Sequence, residues 1–222
     1  MNVFRKKNDL IILGKEISKY CVGMEGNLSM KKKNSIIIKA SGSNLKKLTN
    51  KDLVKYDLDG KQLNNFKKKG SMELPFHIFF LKNFDIKYVT HTHPVNTLKI
   101  LVSDKIYEFA NQRLFPDQVV FNGKKSCIVP YNTPGLPLTE MIEKSINEFI
   151  NEEKYFPNLI LLQNHGIIVC GNSIDQCIYI NEICEKSAEI FLTSNKKNYL
   201  TDNQINELII NKEEIYRKSL IS

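Results

Sequence analysis

Two of the four histidines, His91 and His93, stand two residues apart in Thr90-His91-Thr92-His93-Pro94. The run leading into them, Ile86-Lys87-Tyr88-Val89-Thr90, reads as a strand. On a strand, positions i and i+2 project from one face, so both imidazoles point the same way. Pro94 lacks a backbone donor and ends the ladder, and a helix is expected from Pro94 to Ser103. The pair therefore sits at the carboxyl end of a strand. His165 lies in Gln163-Asn164-His165-Gly166, between the apolar runs Asn158 to Leu162 and Ile167 to Cys170. That pattern predicts a tight turn joining two strands. Three neutral imidazoles on rigid elements suit a catalytic divalent metal, usually zinc, with one coordination position open. A lone histidine is more often a half-buried polar residue, but a pair with a third on an Asn-His-Gly turn favours the metal.

The elements that must position these residues follow from periodicity. A first helix is expected over Asp9 to Val22, with Leu10, Leu13 and Ile17 on one stripe. Strands are expected at Leu28 to Lys31 and Ser35 to Ala40, around the lysine turn, and at Leu53 to Leu58. Lys61 to Gly70 is polar loop. A helix is predicted from Ser71, as its N-cap, to about Leu81, with Pro75 in the first turn and Glu73 and His77 four apart on one face. Asp117 to Phe121 and Ser126 to Val129 read as short strands, Tyr131 to Gly135 as loop, and Leu138 to about Lys154 as helix. Ser173-Ile174-Asp175-Gln176 has the capping-box pattern for a helix to about Ser194, and a last helix is expected from Asp202 to Lys218. Strands cluster in hairpins rather than alternating with helices. The expected fold is α/β, a single domain over residues 1–222 with a central, mostly antiparallel sheet flanked by helices.

At 222 residues the chain is long enough for a substantial core. Its start is polar and no apolar run approaches bilayer length, so the expectation is a cytoplasmic protein with no membrane partner. Five scattered cysteines point to reduced thiols, with Cys177 and Cys184 as core residues of a helix. The net charge of +8 is uneven: residues 1–70 hold 17 Lys/Arg against 6 Asp/Glu, and the rest hold 15 against 18. A basic half suits an anionic ligand such as a phosphorylated sugar. A nucleic-acid partner is not expected, because the lysine runs lack a recognition motif or interleaved aromatics.

Five segments in order, Glu25-Gly26-Asn27-Leu28-Ser29, Ala40-Ser41-Gly42, Ser71-Met72-Glu73, His91-Thr92-His93-Pro94 and Gln163-Asn164-His165-Gly166, resemble the class II aldolase/adducin family. That family includes fuculose-phosphate and rhamnulose-phosphate aldolases, ribulose-phosphate 4-epimerase and methylthioribulose-phosphate dehydratase. The resemblance spans roughly residues 8–195. Leu114-Phe115-Pro116-Asp117-Gln118 and Pro130-Tyr131 with Pro134-Gly135 look most like the aldolase part of bifunctional rhamnulose-phosphate aldolase/alcohol dehydrogenases. The resemblance implies that His91, His93 and His165 hold one zinc ion, and that Glu73 is the acid/base and a metal ligand when substrate is absent. It also implies that Asn27, Ser41, Gly42 and Ser71 grip the substrate phosphate. Met72 departs from the pattern, standing where the family has a second serine. A tyrosine acid is implied for the aldolases, and Tyr107, Tyr131, Tyr199 and Tyr216 all stay open for it.

The implied function is a zinc-dependent retro-aldol cleavage of a ketose phosphate or related sugar to dihydroxyacetone phosphate and an aldehyde, in a homotetramer. An epimerase or dehydratase on the same metal is the alternative. A third is a non-catalytic, adducin-like module, against which the complete set of three histidines and Glu73 argues.

Overall fold

The computed structural model describes residues 3–221, with side-chain surroundings given from Asp9 to Ile221. In chain order the elements are α1 (Val3–Ile17), β1 (Asn27–Lys32), β2 (Ser35–Lys39), β3 (Leu53–Asp57), α2 (Leu74–Asn83), β4 (Tyr88–Thr92), α3 (Val95–Leu101), α4 (Ile106–Asn111), α5 (Pro116–Asn122), β5 (Cys127–Val129), α6 (Leu136–Glu153), β6 (Leu159–Leu162), β7 (Gly166–Gly171), α7 (Ile174–Thr193), α8 (Asp202–Ile210) and α9 (Lys212–Ser219). The strands form one sheet in the order β3-β2-β1-β4-β7-β6-β5. Neighbours pair antiparallel except β5 and β6, which run parallel. The expected α/β fold with a mostly antiparallel sheet and helical flanks is the observed one.

Both faces of the sheet are covered, which explains why β2, β4, β6 and β7 are buried along their whole length. Alternation divides each strand between two cores. Ile37, Tyr88, Leu161 and Val169 face one core with Leu10, Leu13 and Ile17 of α1 and Cys177, Ile180 and Cys184 of α7. Ile36, Ile38, Val89 and Ile168 face the other with Phe76 and Phe80 of α2 and Ile142 and Ile146 of α6. All five cysteines are free thiols.

Several boundaries differ from the sequence expectation. α1 ends at Ile17 and passes into a single 3-10 turn, Ser18–Tyr20, rather than running to Val22. Asp117 to Phe121 is helix, not strand. Phe115 is extended, Pro116 sits in the first turn, Asp117 favours the dipole there, and Gly123 closes the helix with a φ of 85°. Start and stop signals thus outweigh the β-branched Val119 and Val120. Ser71 does not cap α2. Its hydroxyl accepts from the Glu73 N–H at 3.3 Å and its carbonyl from Leu74 at 3.0 Å, a separate turn, so the helix begins at Leu74-Pro75 with Glu73 as the capping position. Ser173 does cap α7, accepting from the Gln176 N–H at 2.9 Å, but the Gln176 side chain turns to the Asn172 N–H. The expected helix Asp202 to Lys218 is two, because Asn211 is extended and its side chain caps α9 by accepting from Glu213 and Glu214.

Candidate metal centre

The central strand β4 lies between β1 and β7, and His91 stands opposite Asn27 on one side and Ile168 on the other. His93 follows the end of β4, where its N–H donates to the Tyr20 carbonyl at 3.1 Å. The β6–β7 turn returns His165 to the same end of the sheet, with Asn164 in the left-handed region at φ 57°. The ligand nitrogens of His91, His93 and His165 fall within 4.8 Å of one another. Their rings pack edge to face or tilted, with centroids 4.7, 4.8 and 5.4 Å apart. Strand period and turn placement therefore produce the convergence expected of the three histidines.

The partner of His91 fixes its tautomer. His91 Nδ1 lies 2.9 Å from the Ile167 carbonyl, which can only accept, so Nδ1 carries the proton and Nε2 presents a lone pair. His93 Nδ1 lies 3.4 Å from Glu25 Oε2. The Nε2 atoms of His91 and His93 are 3.0 Å apart, so the His93 tautomer decides whether its Nε2 donates to the His91 lone pair or turns a second lone pair to the recess. Burial holds His91 in its neutral form, with a pKa of about 3, and His93 adds to the shift. Burial likewise lowers His165 to about 4, with His91 contributing. Neutral imidazoles are the ligand form.

Glu73, at the start of α2, closes the recess. Its Oε2 lies 3.5 Å from His91 Nε2 and its Oε1 3.6 Å from His165 Nε2. Oε1 is buried without a hydrogen-bond partner, whereas Oε2 accepts from Asn27 Nδ2 at 2.7 Å. A buried acceptor left unpaired costs about 1–3 kcal/mol, and a bound cation removes that cost. The donor set, three nitrogens and one carboxylate oxygen, fits a divalent metal of the zinc type. Behind Asn27 lies His77, fully buried, its Nε2 2.5 Å from Asn27 Oδ1 and its Nδ1 2.6 Å from Ser29 Oγ. The helical spacing of Glu73 and His77 marks their shared face, but nothing local in the sequence signals that Asn27 joins them.

The residues expected at the phosphate end come together through backbone pairing. Ala40 bridges Gly70, Ser41 N–H donates to the Lys69 carbonyl at 2.9 Å, and Ser71 N–H donates to the Lys39 carbonyl at 3.0 Å. Ser41, Gly42 and Ser71 are thus neighbours, with Gly42 at φ 74°. Asn27 directs its amide to Glu73 and His77. Lys39, which sequence reading passed over, is 2 % exposed and donates to the Met24 carbonyl at 3.1 Å and the Ser43 carbonyl at 2.6 Å, tying the loop before β1 to the turn after β2. Burial lowers its pKa. A lysine interrupting the run Ile36-Ile37-Ile38-Lys39-Ala40 was the available signal. Glu25 was another, being the first residue of Glu25-Gly26-Asn27. Of the tyrosines, Tyr199 donates to Glu108, and Tyr107, Tyr131 and Tyr216 are exposed.

Comparison with known proteins follows the same lines. A 3-oxo-tetronate 4-phosphate decarboxylase of Haemophilus influenzae is 28% identical over 214 residues, covering 94% of this chain and 98% of that protein. An L-fuculose phosphate aldolase of Methanococcus maripaludis is 30% identical over 187 residues, covering 83% and 90%. Among solved structures, an L-fuculose 1-phosphate aldolase superposes with a TM-score of 0.77 at 20% identity, covering 94% of this chain and 96% of that one. YgbL of Escherichia coli, described as a putative aldolase/epimerase/decarboxylase, gives 0.76 at 24% identity, covering 92% and 97%. At these identities the structures speak for the fold. Residues 16–192 match the family described as Class II Aldolase and Adducin N-terminal domain, and the chain belongs to that family.

Proposed function

We propose that this protein is a zinc-dependent lyase that cleaves a carbon–carbon bond in a phosphorylated keto sugar, releasing dihydroxyacetone phosphate and an aldehyde. The observation that carries the reading is the buried convergence of three imidazole nitrogens with one unpartnered carboxylate oxygen, Glu73 Oε1. His91, His93 and His165 would hold the metal, and a divalent ion bound there would polarise a ketone and its neighbouring hydroxyl and stabilise negative charge developing on them. Glu73 takes or returns the proton, since its Oε1 is within reach of the same space. The neighbouring turns at Ser41-Gly42 and Ser71, with Asn27, would receive the phosphate. Met72, 66 % exposed beside Ser71, adds no hydroxyl to that end. By family resemblance we infer a homotetramer. No helix among the described residues is long and apolar enough to cross a membrane.

A second reading, decarboxylation of a phosphorylated keto acid, is favoured by the Haemophilus influenzae relative, which matches across nearly its whole length. Both readings leave negative charge beside a ketone, so the same ligand set serves either. Product analysis separates them: a screen of ketose phosphates and 3-keto acid phosphates, followed for dihydroxyacetone phosphate, aldehyde and carbon dioxide. Dihydroxyacetone phosphate released from a ketose phosphate together with an aldehyde and no carbon dioxide supports aldol cleavage. Carbon dioxide released from a keto acid phosphate, one per ketone product and with no aldehyde, shifts the assignment to decarboxylation. Isomerised or dehydrated product with neither overturns carbon–carbon cleavage in favour of an epimerase or dehydratase.

A further inference from the structure

The hydrogen bonds behind Glu73 form a chain that can run in only two directions. A carboxylate accepts and never donates, so Asn27 must present Nδ2 to Glu73 Oε2, at 2.7 Å, and Oδ1 to His77 Nε2, at 2.5 Å. Oδ1 can only accept, so the His77 ring proton is on Nε2. Nδ1 then accepts from the Ser29 hydroxyl, 2.6 Å away. The opposite direction needs a protonated Glu73, a turned-over Asn27 amide, and His77 protonated on Nδ1. Ser29 and His77 are fully buried, Asn27 is 4 % and Glu73 6 % exposed, so bulk water does not compete for these bonds. Phe76 stacks on the His77 ring at 4.5 Å and 22°, which fixes the plane of the imidazole. A phenylalanine-rich core would accept an apolar residue at position 77 without burying two ring nitrogens, so the histidine carries a role that packing does not require.

We propose that Ser29 and His77 are positioning residues which, through Asn27, hold Glu73 by its Oε2, leaving Oε1 as the oxygen that moves the proton. The proposal rests on the role given to Glu73 above. Ser29 and His77 touch no substrate in this account, and Asn27 relays their bond to Glu73. They set which oxygen works and keep its neighbour occupied, as outer partners do for ligands at metal sites.

The ring tautomer tests this without reference to any reaction. In 15N-labelled, metal-loaded protein, nitrogen chemical shifts distinguish a protonated from a lone-pair imidazole nitrogen. His77 is expected to show a protonated Nε2 and a lone pair on Nδ1, and a proton on Nδ1 overturns the proposal. In turnover, His77→Phe is expected to lower kcat on the order of 10- to 100-fold with KM and bound metal as in the wild type. His77→Gln, whose amide can still donate to Asn27, recovers part of that loss. Ser29→Ala lowers kcat in the same sense and serves if His77→Phe does not fold. Loss of metal, or a raised KM with kcat retained, in these variants marks a merely structural role and also overturns the proposal. If the wild type turns over no sugar phosphate, the lyase reading fails, and the tautomer alone decides the arrangement of Glu73.

Discussion

A β-carbon placed on Gly166 would lie 2.5 Å from His93 Cδ2 and 2.5 Å from the Thr92 carbonyl oxygen, so backbone and imidazole meet where no side chain fits. The same carbon would stand 3.2 Å from His91 Cε1. The glycine after His165 therefore lets β7 approach β4 closely enough for all three imidazoles to converge. Gly166→Ala is expected to push the His93 ring outward, lower metal affinity on the order of 10- to 100-fold, and cost about 1–3 kcal/mol of stability. Metal titration and a urea melt on the same variant check both.

Metal should bind the folded chain and not the unfolded one, since its ligands come from β4 and a distant turn. At a free concentration one hundred times Kd, zinc is expected to add about 2.7 kcal/mol, raising the melting temperature by roughly 5–11 °C. His93→Ala and His91→Ala should abolish that rise while melting near the metal-free wild type. A rise of unchanged size in both variants would place the metal elsewhere.

Asp52 offers a pH-dependent contribution away from the three histidines. Burial raises its carboxyl, but bonds from Lys68, Thr49 and Ser43 outweigh this and hold it below the usual carboxylate range. With a folded pKa below the unfolded value of 3.8, the unfolded chain takes up the proton first as pH falls. The stabilisation is complete well above 3.8 and is lost progressively below it. Asp52→Asn should melt lower than wild type near neutral pH, and the gap should close in strong acid.

Arg113 is fully buried, and among the described residues it forms no salt bridge with a carboxylate. Its Nε donates to the Gly123 carbonyl at 2.6 Å, its Nη1 to Ala110 and Gln112 at 3.1 and 2.8 Å, and its Nη2 to Ser126 Oγ at 3.1 Å. Those carbonyls close α4 and α5, whose negative dipole ends stand in for a counter-ion. Burial still lowers the guanidinium to about 10. Arg113→Met leaves several buried carbonyls unpaired and is expected to cost about 3–5 kcal/mol. A lysine at this position, with one ammonium on a flexible stem, should recover less than half, as urea midpoints will show.

By itself the sequence determined the local terms of the site. A period of two set His91 and His93 on one face, the proline after them ended the strand, and Asn164-His165-Gly166 made a turn, because each depends on neighbours one to four residues away. The hairpin of β1 and β2, the cap at Ser173 and the flanked sheet were legible for the same reason. Where two local signals competed, at Asp117 to Phe121 and at Asn211, the helix-start chemistry outweighed β-branched content in one case and broke a continuous apolar period in the other. What tertiary structure alone decided is the joining of residues far apart in the chain. Asn27 and Glu73 are 46 residues apart and His93 and Gly166 are 73, and no period or propensity reaches that far. Sheet order brought them together: β4 is placed between β1 and β7, so the three motifs meet at one end of the sheet, where buried polar groups must find partners in one another.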